Sequence, residues 1–218
     1  DALQPLLERL LLCQLQGREP LLLDAAELAG LNSATKAALL QLPLVLIELG
    51  SQGAELWSRR QHQGQQSLLE ELEQRLHQHQ GLLLTGGAGT GKTTRVRQLL
   101  ANETARKTLL LAPTGKAAAR LREALSPLPA SMHCATLHRA LEANARGGFG
   151  RHHDRPLNTD VVVVDEVSMV DTNLMRALLE ALPTNTRLIL VGDSAQLPPI
   201  DGSSVLEPLE QQLKTNQP

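Results

Sequence analysis

The chain has 218 residues, 42% of them hydrophobic and 20% charged, enough to bury one full domain core and a smaller appended unit. Only Trp57 and Phe149 are aromatic, so Leu, Val and Ala must fill the core, and an aromatic platform for stacking bases is disfavoured. Cys13 and Cys134 have neither the number nor the spacing for a disulfide framework or a zinc site, and no apolar run approaches the roughly 18 residues of a membrane span, so the sequence reads as soluble and cytoplasmic.

The formal net charge of -2 conceals an uneven distribution. Twelve of the 21 Lys and Arg fall between Lys92 and Arg155, against four acidic residues in the same stretch, which marks a local basic surface. The chain starts at Asp1 without an initiator Met or a secretory leader and stops at Pro218, shortly after a motif that usually sits mid-protein, so it reads as a fragment.

From the N-terminus, Leu3, Leu6, Leu7, Leu10 and Leu11 recur at helical spacing, and Asp24 with Glu27 forms a capping-box signature, predicting that about the first forty residues are helical. After Pro43 an extended run, Leu44 to Leu49, the turn Gly50 to Gly53 and then Ala54 to Trp57 predict a hairpin. Gln61 to Gln80 carries a helical stripe of Leu68, Leu69, Leu72 and Leu76 on a Gln-rich, solvated background. Four apolar runs follow, Leu82 to Leu84, Thr108 to Leu111, Val161 to Val164 and Leu188 to Val191, separated by helical stretches. Such runs are strands buried on both faces of a parallel sheet, which makes the fold class α/β.

Gly86-Gly87-Ala88-Gly89-Thr90-Gly91-Lys92-Thr93 fits G-x-x-x-x-G-K-[ST] between a predicted strand and a predicted helix, the setting a phosphate-binding loop requires. Its glycines let backbone N–H groups turn toward phosphates, the helix N-terminus adds partial positive charge, Lys92 reaches the β and γ phosphates, and Thr93 ligates Mg²⁺. Val161 to Val164 delivers Asp165 and Glu166 to the C-terminal sheet edge, where ligands bind in open α/β folds. Asp165 is the candidate to hold Mg²⁺ through water and Glu166 to orient and deprotonate the attacking water of an ATP hydrolase. The last run ends in Gly192-Asp193-Ser194-Ala195-Gln196-Leu197-Pro198-Pro199, which brings Gln196 to the same edge or simply makes a Pro-stopped surface loop.

Thr85 to Thr94, Ala112 to Leu121, Ala135 to Arg139, Val163 to Asp171 and Val191 to Pro199 together resemble the motifs of superfamily 1 DNA helicases, in order. The hairpin around Pro43 to Trp57 and the segment Phe149 to Leu157 also look like the RecD-type branch, the alpha subunits of exodeoxyribonuclease V. The resemblance implies a small helical domain over residues 1–60 that docks a partner, and a RecA-like P-loop motor domain over 61–218, the first of two. It implies ATP and Mg²⁺ as ligands, with Thr94 completing the loop. Single-stranded DNA would lie along Pro113, Thr114, Gly115, Lys116, Thr136 and His138, with Gln196 sensing the γ-phosphate. It further implies 5′ to 3′ translocation in double-strand-break repair and recombination, within a heterotrimer with RecB- and RecC-like subunits.

Independently of the resemblance, Pro113 to Gly115 opens a helix that offers N–H groups and a hydroxyl to a phosphate, with Lys116 and Arg120 adding charge; a plain capped helix with a basic face is the alternative. His138 is a phosphate donor or a packing residue, and Arg151, His152, His153 and Arg155 read as a solvated loop. A Gln upstream of the P-loop reads adenine in such helicases, and Gln66 is the candidate, with Gln65 beside it. The absence of the second domain's arginines implies that this chain alone hydrolyses ATP poorly. A nucleotide-switched protein-binding module without DNA translocation, and a stand-alone helicase relative, are the other readings.

Overall fold

The computed structural model describes residues 3–15, 20–78, 80–87, 89–101, 103, 106–145, 147–193, 196 and 204–215. Ala88 of the P-loop, and Ser194, Ala195, Leu197, Pro198 and Pro199 of the last motif, lie outside the described residues. The chain divides into two compact units, Asp1–Leu68 and Leu69–Pro199 with Ser204–Pro218.

In the first unit α1 (Leu3–Leu15) buries Leu6 and Leu10, and the apolar residues around them close a core with Leu21, Leu23, Leu39, Ala54 and Leu56. The Asp24–Glu27 capping box forms at the start of α2 (Ala25–Gly30): Glu27 N–H donates to Asp24 Oδ1 at 2.8 Å and Asp24 N–H to Glu27 Oε2 at 3.1 Å. After α3 (Ser33–Gln41), capped by Asn32, the hairpin pairs β2 (Leu44–Glu48) with β3 (Ala54–Ser58) in register from Leu44↔Ser58 to Glu48↔Ala54.

The helical expectation for the first forty residues fails at β1 (Leu21–Leu23), which joins β3 on its free edge to give the order β1-β3-β2. Three leucines in a row show no periodicity, so only the tertiary partner reveals the strand. Gly53 makes that partnership possible, because it sits at φ +113° and a Cβ there would stand 2.0 Å from the Leu23 carbonyl oxygen.

Helix α4 (Arg59–His77) carries the Leu68, Leu69 and Leu72 stripe, all three buried, and contains the boundary between the units. The second unit then runs β4 (Gly81–Thr85), α5 (Lys92–Leu100), β5 (Thr108–Ala112), α6 (Gly115–Leu125), β6 (Met132–Thr136), α7 (Leu137–Ala140), β7 (Val161–Val164), α8 (Thr172–Ala181), β8 (Arg187–Gly192) and α9 (Leu206–Thr215). Its sheet has the order β4-β8-β7-β5-β6, with every pairing parallel.

All four predicted runs are strands, and Val161 to Val164 are completely buried. Val161 and Val163 share one core with Val96 and Leu100 of α5 and Leu121 and Leu125 of α6; Val162 and Val164 alternate to the other face. The unpredicted strand is β6, whose Met-His-Cys-Ala-Thr sequence lacks an apolar run because it lies at the sheet edge. The architecture is a RecA-like P-loop α/β fold. Among the described residues no helix is long and apolar enough to cross a membrane.

Candidate functional site

Parallel pairing puts the C-terminal ends of all five strands on one edge. β4 opens into the P-loop, where Thr90 Oγ1 donates to Gly87 O at 2.9 Å and Gly89 and Gly91 take φ +78° and +83°. Left-handed Gly91 is the N-cap of α5, so the chain turns sharply and the first helical N–H groups face outward from the sheet end. Lys92 Nζ donates to the carbonyls of Gly86 and, at 2.8 Å, Gly87. Thr93 and Thr94 follow, exposed, on the first turn of α5.

β7 ends at Asp165 and Glu166. Burial raises the Asp165 carboxyl above the ordinary range, opposed by the Glu166 N–H, which donates to Asp165 Oδ1 at 3.0 Å, and by the Lys92 charge. Burial also raises Glu166, reinforced by the Asp165 charge and opposed by Arg120. Glu166 has φ +53° and ψ +43°, a left-handed conformation that costs a non-glycine residue about 1–2 kcal/mol. Such strain at a carboxylate on the ligand edge is typical of functional positions. The Thr93 hydroxyl and the Asp165 carboxylate are hard oxygen donors, a set that fits Mg²⁺.

β8 lies between these two strands and contributes a residue that the sequence reading passed over. Asp193, only 5% exposed, places Oδ2 3.7 Å from Lys92 Nζ. The signal was its position one residue past a buried strand, the same signal that marked Asp165. Gln196 N–H donates to Asp193 O at 3.0 Å, and its side-chain Oε1 accepts from Ser168 Oγ at 3.3 Å. Ser168 belongs to the short 3₁₀ turn Val167–Met169 that follows Glu166. The edge therefore brings together Lys92, Asp165, Glu166 and Asp193, with Gln196 tied to the turn behind Glu166.

β5 and β6 form the other half of the edge. Thr114 caps α6, accepting from Ala117 N–H at 3.1 Å, and Thr136 caps α7, accepting from Arg139 N–H at 3.2 Å. Because Ala112 pairs with Thr136, the Pro113-to-Lys116 and Thr136-to-His138 segments leave adjacent strands side by side. Thr114, Gly115, Lys116 and His138 are exposed, and the His138 ring lies 6.5 Å from that of Phe149. Farther along, Glu142 ties down both Arg151 (2.8 Å) and Arg155 (2.7 Å), so those two charges are engaged internally. On α4 Gln66 is exposed, whereas Gln65 is buried.

Residues 70–201 match the family described as an AAA domain. A RecBCD enzyme subunit RecD from Mycolicibacterium smegmatis is 42% identical over 153 residues, covering 60% of this chain and 28% of that relative. The ATP-dependent RecD2 DNA helicase of Deinococcus radiodurans is 42% identical over 139 residues, covering 63% of this chain and 19% of that one. Among solved structures, the Pif1 helicase from Candida albicans aligns over 63% of this chain and 33% of its own, with 24% identity and a TM-score of 0.39. The chain thus spans less than a third of the length of these curated relatives.

Proposed function

Because the chain belongs to the AAA-domain family, and relatives 40–44% identical to it are RecD-type proteins, we propose that it is the ATP-binding motor domain of an ATP-dependent DNA helicase. The observation that carries this reading is the division of one sheet edge. Nucleotide-handling groups leave the adjacent strands β4, β8 and β7, and phosphate-binding candidates leave the next two, β5 and β6. Hydrolysis at one half then has a short mechanical path to a DNA backbone on the other.

In this reading Gly86 to Thr94 bind the triphosphate, with Lys92 on its β and γ oxygens, and Thr93 and Asp165 hold Mg²⁺. The metal, when bound, neutralises charge on the transferring phosphate. Glu166 orients the attacking water and takes its proton, a role suited to a carboxyl raised by burial. Gln196 contacts the γ-phosphate, and Gln66 reads adenine. Pro113, Thr114, Gly115, Lys116, Thr136 and His138 take single-stranded DNA by its backbone. The complete protein moves 5′ to 3′ in double-strand-break repair and recombination with RecB- and RecC-like subunits. The names of the RecD relatives support that placement, as do the exposed Leu11, Leu12 and Leu15 of α1, which suit a partner-docking role for the N-terminal unit.

The test is a titration of a fluorescent ATP analogue with Mg²⁺ into the chain and into Lys92→Ala, followed by single-stranded oligo-dT at two salt concentrations. Binding lost in the variant, together with salt-sensitive DNA binding, supports the motor reading. Nucleotide binding with no DNA affinity at low salt would count against it and leave a nucleotide-switched protein-binding module.

A further inference from the structure

We infer that Ser168 is a positioning residue that sets the polarity of the Gln196 amide, so that the Nε2 donors face the γ-phosphate of a bound nucleotide. This rests on the reading of Gln196 as the γ-phosphate contact.

Ser168 is 3% exposed, so its hydroxyl proton needs a protein acceptor, and it meets Gln196 Oε1 at 3.3 Å. With Oε1 engaged by a donor, the carboxamide presents Nε2 outward. The flipped amide would present Oε1 instead, an acceptor facing an anion. The same residue is held from a second side, since Ser204 Oγ donates to the Ser168 carbonyl at 3.5 Å and Asp171 bridges to Ser204. Ser168 therefore meets both Gln196 and Ser204. Two residues upstream, at the N-cap of the same short turn, stands Glu166, so the turn that follows the hydrolysing carboxylate also orients the sensing amide.

The experiment measures Kd for Mg·ATPγS and for Mg·ADP on the 218-residue chain and on S168A, Q196A and the double variant, with melting temperatures as a folding control. Discrimination, the ratio of the two constants, isolates the γ-phosphate contact from general damage to the site. Q196A should reduce it about tenfold and S168A about three- to fivefold, with ADP affinity unchanged. The double variant should be no worse than Q196A alone.

A loss in Q196A without one in S168A, or additive losses in the double variant, overturns the inference while sparing the Gln196 contact. Unchanged discrimination in Q196A overturns that contact, and the inference with it.

Discussion

Lys92 Nζ and Asp193 Oδ2 stand 3.7 Å apart, one on the first turn of α5 and the other just past β8, and the carboxylate is almost wholly buried. Removing the lysine takes a cation from beside a buried anion, which costs about 1–3 kcal/mol. We predict that Lys92→Ala lowers the melting temperature by several degrees and abolishes ATP-analogue binding. Lys92→Ala with Asp193→Asn should recover part of the stability and none of the binding. Calorimetry beside a nucleotide titration checks this; equal melting temperatures for the two variants would show that the ion pair is energetically idle.

The two raised carboxyls make the site a source of instability at neutral pH. A folded-state pKa above the unfolded one means that, between the two, the folded chain holds protons the unfolded chain has released. Stability therefore falls as pH climbs through that window above the ordinary carboxylate range, and it stays lower beyond it. Asp165→Asn and Glu166→Gln should each melt higher than the parent at about pH 7.5, with the gap shrinking toward about pH 4.5. Glu166→Asn should gain more than Glu166→Gln, since Asn tolerates the left-handed backbone better.

Lys116 is exposed beside the Thr114 cap and has no part in the nucleotide half of the edge. Lys116→Ala should weaken oligo-dT and mixed-sequence strands alike and flatten the log–log salt dependence by about 0.7, one phosphate contact. ATP-analogue affinity should stay as it is. A sequence-dependent loss would mean that the lysine reads bases.

At Gly53 any side chain meets the Leu23 carbonyl, and the backbone is already at φ +113°. Gly53→Ala should destabilise the N-terminal unit by about 2–4 kcal/mol. Binding of the triphosphate, whose candidate contacts Lys92, Thr93 and Asp165 lie in the other unit, should survive. Hydrogen exchange resolved by segment would locate the loss: increased exchange in residues 20–58 with 80–140 unaffected is the expected pattern.

What the sequence made legible was local. The P-loop, the acidic pair after Val161 to Val164 and the four buried strands are each written within a dozen residues, and each appears where its pattern put it. Strand order is not written that way. Nothing near Asp193 says that β8 pairs with β4, so its approach to Lys92 could not be read, nor could the Ser168–Gln196 bond. Strands β1 and β6 were missed for a related reason: a three-residue strand and an edge strand owe their existence to a neighbour more than to their own composition.

The placement of β8 between β4 and β7 also acts as a ruler. Neighbouring strands lie about 4.8 Å apart, so the ends of β4 and β7 are separated by roughly 10 Å of rigid, hydrogen-bonded sheet. On the proposed reading, a phosphate chain held in the β4 loop would lie near the end of β8, with the β7 carboxylates beyond it. On that reading, the spacing is the one a bound triphosphate would bridge.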